Sequence, residues 1–369
     1  MTQLLSNICD YINEKIAVNE LSDKNYISTE NMLPNKSGIV KASTLPNMQL
    51  TPAYQENDVL ISNIRPYFKK IWQAEYCGGC SNDVLVLRAK QFVNPKFLYY
   101  VLSEDKFFDY ATATSKGTKM PRGDKSAIMK YGVPEFSEIE QEKIANILFP
   151  IDKKIAINSA TNNNLEQQIF TIFDNIFPNV RDGENTISNY FSPKRGKNLL
   201  SKNAILGDVP VIAGGLNPAT YHNVANTKAP VITISASGAN AGFVNLWHIP
   251  VWSSDSSYID NTITSNIYFW YVMLKKRQQE IFDSQTGSAQ PHIYPQHIEG
   301  MTVSDIDMNL VNDFNDNVTS LFIYMGENIK ENQKLIQLRD TLLPKLMNGE
   351  IDVSEVDISP DKLLFSEDK

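Results

Sequence analysis

Apolar residues recur along this chain in a pattern that is written out twice. In the segment 137–180 they step by four and three: Ile144, Leu148, Ile151, Ile155, then Asn158 and Asn162, then Leu165, Ile169, Ile172 and Ile176. Such stepping is a heptad seam, the mark of a helix lying along a partner helix. In the segment 308–350 the steps return as Phe314, Val318, Leu321, Met325, Asn328, Asn332, Leu335, Arg339, Leu342 and Leu346. The seams correspond position for position, asparagines included, and each covers a length of about 50 Å as a helix. Amides in an apolar seam lower stability but disfavour wrong registers, in which they would be buried unpaired. Asn158, Asn162, Asn328 and Asn332 are therefore expected to set the register of two antiparallel helices. The competing expectation is that the helices part there and leave the amides in water. Pro150 interrupts the first seam and predicts a kink or a late helix start.

A mixed segment precedes each helix. In the first, "DVLIS", "KKIWQAEY" and "DVLVLRA" read as strands, and "NPKFLYYVLSEDKFFDYAT" as one amphipathic helix with Pro95 in its first turn. In the second, "VPVIAGG", "PVITISAS" and "FVNLWHI" are the strands and "NIYFWYVMLKKRQQEIFD" the helix. An offset of 170 carries Gly117 onto Gly287, Pro121 onto Pro291, Ile128 onto Ile298 and Val133 onto Val303. Upstream the offset drifts, pairing Tyr100 with Tyr271, Asp83 with Asp255, Ile61 with Ile234, and Leu5-Ser6-Asn7 with Ile187-Ser188-Asn189. The expected fold is α+β: two similar domains, each a small sheet plus helices, separated by two long antiparallel coiled-coil helices in a pseudo-two-fold internal repeat. The expected boundaries are 1–136 and 181–307 for the domains, 137–180 and 308–350 for the helices, and 351–369 for an acidic tail. Antiparallel helices of this length would leave a domain at each end, as on a ruler.

Composition narrows the class. With 42% hydrophobic and 21% charged residues the chain has the balance of a soluble globular protein. No apolar run nears the ~20 residues of a membrane span, no basic segment leads into an apolar block at the start, and three cysteines are few. A cytoplasmic location is expected. "CGGC" (Cys77 to Cys80) has too few potential ligands in reach for zinc, and Gly78-Gly79 reads as a turn between strands. The net charge of −8 argues against nucleic acid, but the segment from Glu350 onward holds seven acids and two lysines. That segment accounts for −5 and leaves −3 for the body.

Three stretches are polar or basic without resembling core. "SKGTKMPRGDK" offers Lys116, Lys119, Arg122 and Lys125, and its counterpart "TGSAQPHIYPQH" offers Ser288, Gln290, His292 and Gln296. "IRPYFKK" offers Arg65, Lys69 and Lys70, and its counterpart "ISASGANAGF" has Ser235, Ser237 and Asn240. "SPKRGK" adds Lys194, Arg195 and Lys197. Glycine-led loops suit backbone contacts to phosphate. Arg and Lys can bind guanine, and Asn and Gln adenine. No nucleotide-binding loop, amino-methylation tetrapeptide or glycine-rich cofactor loop occurs, and the four histidines form no triad or metal pattern. No catalytic residue and no metal ligand is expected.

With these features the chain resembles the specificity (S) subunits of type I restriction-modification systems. The carrying phrases are "IEQEKIANILFPIDKKIAINSATNNNLEQ", "GSAQPHI" and "LRDTLLPKLMNGEID". The second copy departs from the first phrase, having "NLVNDFNDNVTSLF" instead. The resemblance implies a non-catalytic, sequence-specific DNA-binding subunit with two target recognition domains, each reading one half of a bipartite site in double-stranded DNA. It implies docking of two methyltransferase (M) subunits and, through the complex, restriction (R) subunits. S-adenosylmethionine, ATP and Mg are implied for those partners and none for this chain. Two other readings stand beside it: a coiled-coil adaptor with two protein-binding domains and no DNA role, or the recognition subunit of a related nuclease-methyltransferase system.

Overall fold

A computed structural model describes residues 2–181, 183–287, 290–354 and 356. Ser288 and all of the acidic tail beyond 354, save Val356, lie outside the described residues. The chain divides into two compact units, one made of residues 1–155 and 334–369, the other of 156–333. Both long helices therefore contribute a segment to each unit.

In the first unit, an antiparallel sheet orders its strands Cys9–Tyr11, Val84–Ala89, Val59–Ser62, Ile71–Gln73. In the second, the same order is built from Lys194–Arg195, Ser256–Asp260, Val231–Ser235 and Val244–Trp247. A short strand at the start of each unit pairs with the strand just before the long helix: Thr2–Leu4 with Gly132–Pro134, and Asn185–Thr186 with Thr302–Val303. Each unit adds a further sheet, four-stranded in the first and three-stranded in the second. Gly78 and Gly79 are not a turn, as expected, but part of the strand Gly78–Cys80 in that further sheet. The strand runs so close to its neighbours that a Cβ on Gly78 would sit 2.2 Å from the Asn25 carbonyl oxygen, so only glycine fits.

The helix expected in each domain is two helices. Pro95–Ser103 is capped by Asn94, whose side chain accepts from the backbone N–H of Lys96 and Phe97, and Asp105–Ala113 follows it. In the second unit Ile267–Lys276 is followed by Gln278–Asp283. Both breaks fall at a charged residue on the apolar stripe, Glu104 and Arg277, and both side chains are buried. Arg277 is satisfied by Glu280 and by the carbonyl of Thr302 at 2.7 Å. Burial pushes the Glu104 carboxyl up to about 7, with nearby Lys106 and Lys36 opposing.

The first long helix runs Glu138–Ile176 and the second Met308–Met347. The first opens on a capping box, with the Ser137 N–H donating to Glu140 and the Glu140 N–H to Ser137. Pro150 lies inside the helix and does not delay its start. The missing donor costs one rung, while Ile144 and Leu148 anchor the preceding turns in the core. In the first unit, Leu343, Leu346 and Met347 close the core with Phe97, Phe107 and Phe108. The tail begins later than expected, because Val353 is buried in that core and Lys143 donates to the Ser354 carbonyl. In the second unit, Ile169 and Phe173 meet Phe269, Phe314 and Phe322. The seam slips there: Phe173 is 2% exposed and the expected Ile172 is 36% exposed. A four-residue step lets Phe173 pack against Phe269 and Phe314 with ring centres 5.6 Å apart.

The four seam amides bond across the helix pair, with Asn162 and Asn332 half-buried and the other two buried. Asn158 is 2% and Asn328 4% exposed. Asn158 Nδ2 donates to Asn332 Oδ1 at 2.9 Å and to Glu331 at 2.7 Å. Asn328 Nδ2 donates to Asn162 Oδ1 at 2.8 Å, and Asn162 Nδ2 to the Met325 carbonyl at 3.0 Å. The pairing of 158 with 332 and 162 with 328 makes the helices antiparallel within the second unit. In the first unit, Arg339 takes the same kind of position and meets Asp152 at 2.9 Å.

Candidate nucleic-acid interface

The polar loops meet at a junction that is built alike in both units. In the first, Ser62 ends a sheet strand, and the next residues are held from two sides. The Asn63 N–H donates to the Asp83 carbonyl at 2.8 Å, and the Gly123 N–H to the Asn63 carbonyl at 3.0 Å. The Arg65 N–H donates to the Pro121 carbonyl at 2.8 Å. Lys116 and Arg122 exchange both backbone hydrogen bonds across the tip of the glycine-led loop. In the second unit Ser235 ends the strand. The Ala236 N–H donates to the Asp255 carbonyl at 3.1 Å, the Ile293 N–H to the Ala236 carbonyl at 3.0 Å, and the Gly238 N–H to the Pro291 carbonyl at 3.1 Å. Thr286 and His292 exchange both backbone bonds. Every bond has its counterpart in the other unit. The loops start from Gly117 at φ +94° and Gly287 at φ +91°, a conformation that penalises any Cβ.

On this shared frame the side chains differ. Arg122 donates through Nε to Asp83 Oδ1 at 3.2 Å, and its Nη2 lies 3.1 Å from the same oxygen. In the second unit the residue matching Arg122 is His292, whose ring stacks on Tyr294. There Asp255 is met instead by Arg195, Nη2 to Oδ1 at 2.6 Å, and by the Ser237 hydroxyl. Two polar atoms of the first junction, Asn63 Oδ1 and Arg65 Nε, are buried with no hydrogen-bond partner among the described residues.

The expected contact residues fall into four groups. Lys119, Lys125, Lys194 and Gln290 are exposed at or beside the junctions. Arg122, Lys116 and Arg195 are at the surface but ion-paired, with Lys116 on Asp124. The hydrogen bond from Lys116 and those from the backbone of Ala127 and Ser126 hold Asp124 below the usual carboxylate range. Ser237, Asn240, Arg65 and His292 are half-buried within the frame. The remaining three correct the sequence reading. Ser235 is a buried sheet residue, 3% exposed, whose hydroxyl faces the Ala213 carbonyl. Lys69 is tied to Asp105 at 2.9 Å, together with Lys36. Lys70 donates to the Thr29 carbonyl at 2.6 Å, and burial lowers its pKa. These lysines hold the loop rather than project from it, because "IRPYFKK" turns back on itself with both Arg65 and Lys69 left-handed. Asp83 and Asp255 join these residues at the junctions, and their one signal in the sequence is their matching position in the repeat.

Residues 5–167 match the family model of the type I restriction modification DNA specificity domain. The chain is 24% identical over 309 residues to the specificity subunit of the type I restriction enzyme MjaIX of Methanocaldococcus jannaschii, an alignment covering 72% of this chain and 71% of that one. It is 22% identical over 347 residues to S.MpnORF638P of Mycoplasma pneumoniae, a type I specificity subunit by name, covering 89% and 92%. Among solved structures, the type I restriction-modification S subunit from M. genitalium superposes with a TM-score of 0.57 at 20% identity, covering 94% of this chain and 96% of that one. The fold is shared along nearly the whole chain. No helix among the described residues is long and apolar enough to cross a membrane.

Proposed function

We propose that this chain, a relative of the type I restriction-modification specificity subunits whose residues 5–167 form a type I restriction modification DNA specificity domain, is the DNA-reading, non-catalytic subunit of such a complex. Each unit reads one half of a bipartite site in double-stranded DNA, and the chain docks two methyltransferase subunits and, through them, restriction subunits. S-adenosylmethionine, ATP and Mg belong to those partners. The observation that carries this reading is the junction built twice. An identical hydrogen-bonded frame with different side chains on it is what two readers of different half-sites require. An adaptor binding two proteins has no need of loops that combine exposed lysines with backbone turns of this kind.

Phosphate contacts from Lys119 and Lys125 position the first unit. Their replacement together by alanine is expected to weaken binding of every duplex by a similar factor and to lower the salt slope of log K by about 2. A gel-shift series over salt, run on the chain co-purified with its methyltransferase partner, measures both. Affinity and slope equal to wild type would remove this loop from the interface, and an absence of salt-dependent binding by the wild-type complex would favour the adaptor.

A further inference from the structure

We propose that Asp83 and Asp255 are positioning residues that aim one arginine in each unit, Arg122 and Arg195, at a guanine, so that each half-site contains a specified G·C pair. The inference rests on the DNA reading above and adds the base and the residues that select it.

The two aspartates occupy the same place in the frame. Each is the residue just before a sheet strand or its turn, and each backbone carbonyl takes the N–H that follows the matched serine, Asn63 in one unit and Ala236 in the other. Each carboxylate holds a guanidinium, yet the arginines come from unrelated positions. Arg122 belongs to the glycine-led loop, while Arg195 lies on the edge strand Lys194–Arg195. A salt bridge kept only for folding has no reason to be rebuilt from another element once the loop position has become His292. A carboxylate that must always aim an arginine does.

The geometry fits the task. Arg122 spends Nε and one side of Nη2 on Asp83. Among the described residues its Nη1–Nη2 edge is unspent, and that edge is the fork that matches O6 and N7 of guanine in the major groove. Arg195 uses Nη2 alone on Asp255. Both guanidinium groups are accessible, with side chains 54% and 40% exposed. An exposed ion pair of this kind adds little to stability. Its effect is to restrict the rotamers of a long side chain, which a bidentate contact otherwise has to freeze on binding.

The test is selection of bound duplexes from a randomised library by the complex with its methyltransferase partner, followed by sequencing. The wild type is expected to enrich a bipartite motif with at least one specified G·C pair in each half. Arg122→Lys keeps the charge and loses the fork. It is expected to relax one G·C position of one half by about 5- to 150-fold, leaving the other half untouched. Asp83→Asn should relax the same position with less effect on total binding. Arg195→Lys and Asp255→Asn should do this in the other half. A wild-type motif whose G·C positions survive both lysine variants overturns this inference and leaves the DNA reading standing. A wild-type complex that enriches no sequence overturns both. Should an aspartate variant fail to fold, the lysine variants decide, since they alter only exposed side-chain ends.

Discussion

Single residues in the two units show what the repeat has kept and what it has exchanged. Asp152 and Arg339 form a largely buried ion pair in the first unit, and Tyr100 donates to Asp152 at 2.8 Å. The matched positions in the second unit are Phe322 and Ile169, and Tyr271 packs edge-on against Phe322. Removing one member of a buried pair strands the other, so Arg339→Met alone should destabilise by about 3 kcal/mol. The double replacement Asp152→Phe with Arg339→Ile copies the second unit and should come within about 1 kcal/mol of wild type or exceed it. Urea denaturation of the three proteins checks this, and a double variant as unstable as the single would overturn the equivalence. Glu104 gives a test in pH. Its carboxyl is raised from 4.5 to about 7, chiefly by burial. The folded state therefore holds the proton more tightly than the unfolded chain. The stability this contributes is complete below about pH 4.5 and lost as pH rises to about 7, on the order of 3 kcal/mol in total. Glu104→Gln should flatten that part of the curve and melt higher than wild type above pH 7. Thermal melts of both proteins between pH 4.5 and 8 measure the difference, and parallel curves would refute the assignment.

At the scale of elements, the long helices were the most legible part of the sequence because their signal is local and repeated. A four-three step and a constant offset of 170 need no knowledge of folding to be seen. The paired helices that replace one expected helix in each domain were not legible. Glu104 and Arg277 sit on the apolar stripe without breaking its period, so the pattern continues through residues at which the backbone does not. Gly78-Gly79 misled for the opposite reason: glycine signals a turn locally, and only the tertiary approach of Asn25 shows that it permits a strand. The junction was half legible. Asp83 and Asp255 align in the repeat, but their arginines lie 39 and 60 residues away, and the repeat does not match those arginines to each other. The helix amides carry the prediction at this scale. Replacing Asn158, Asn162, Asn328 and Asn332 by leucine should preserve the helical circular dichroism signal while admitting more than one register. Spin labels at Ala160 and Lys330 would report one inter-label distance in wild type and a broadened or split distribution in the variant. A single unchanged distance would deny the amides a role in register.

At the scale of the whole molecule, both helices pass without interruption from one unit into the other. If the helices set the spacing of the half-sites, their length is a variable that can be edited. Four residues inserted into each, after Asn162 and before Asn328, which lie opposite each other, add about 6 Å of helix, nearly two base pairs. Methylation mapping in cells carrying the altered chain and its partner should return both half-sites, with one or two additional unspecified bases between them. Exchange of residues 181–307 for the equivalent domain of a relative should change one half-site and leave the gap. The reverse assignment of effects would end the idea that length and identity are specified by separate parts.

The division of the chain has a bearing on how it is made. Residues 156–333 form one unbroken run, whereas the unit containing the first residue also needs the segment from 334 onward. During synthesis the second unit can complete itself while the first is still waiting for Leu343, Leu346 and Met347 to leave the ribosome. The half that is translated first is thus the half that finishes last. A stop codon just after position 333 would spare the unit of residues 156–333 and leave the other with an open core.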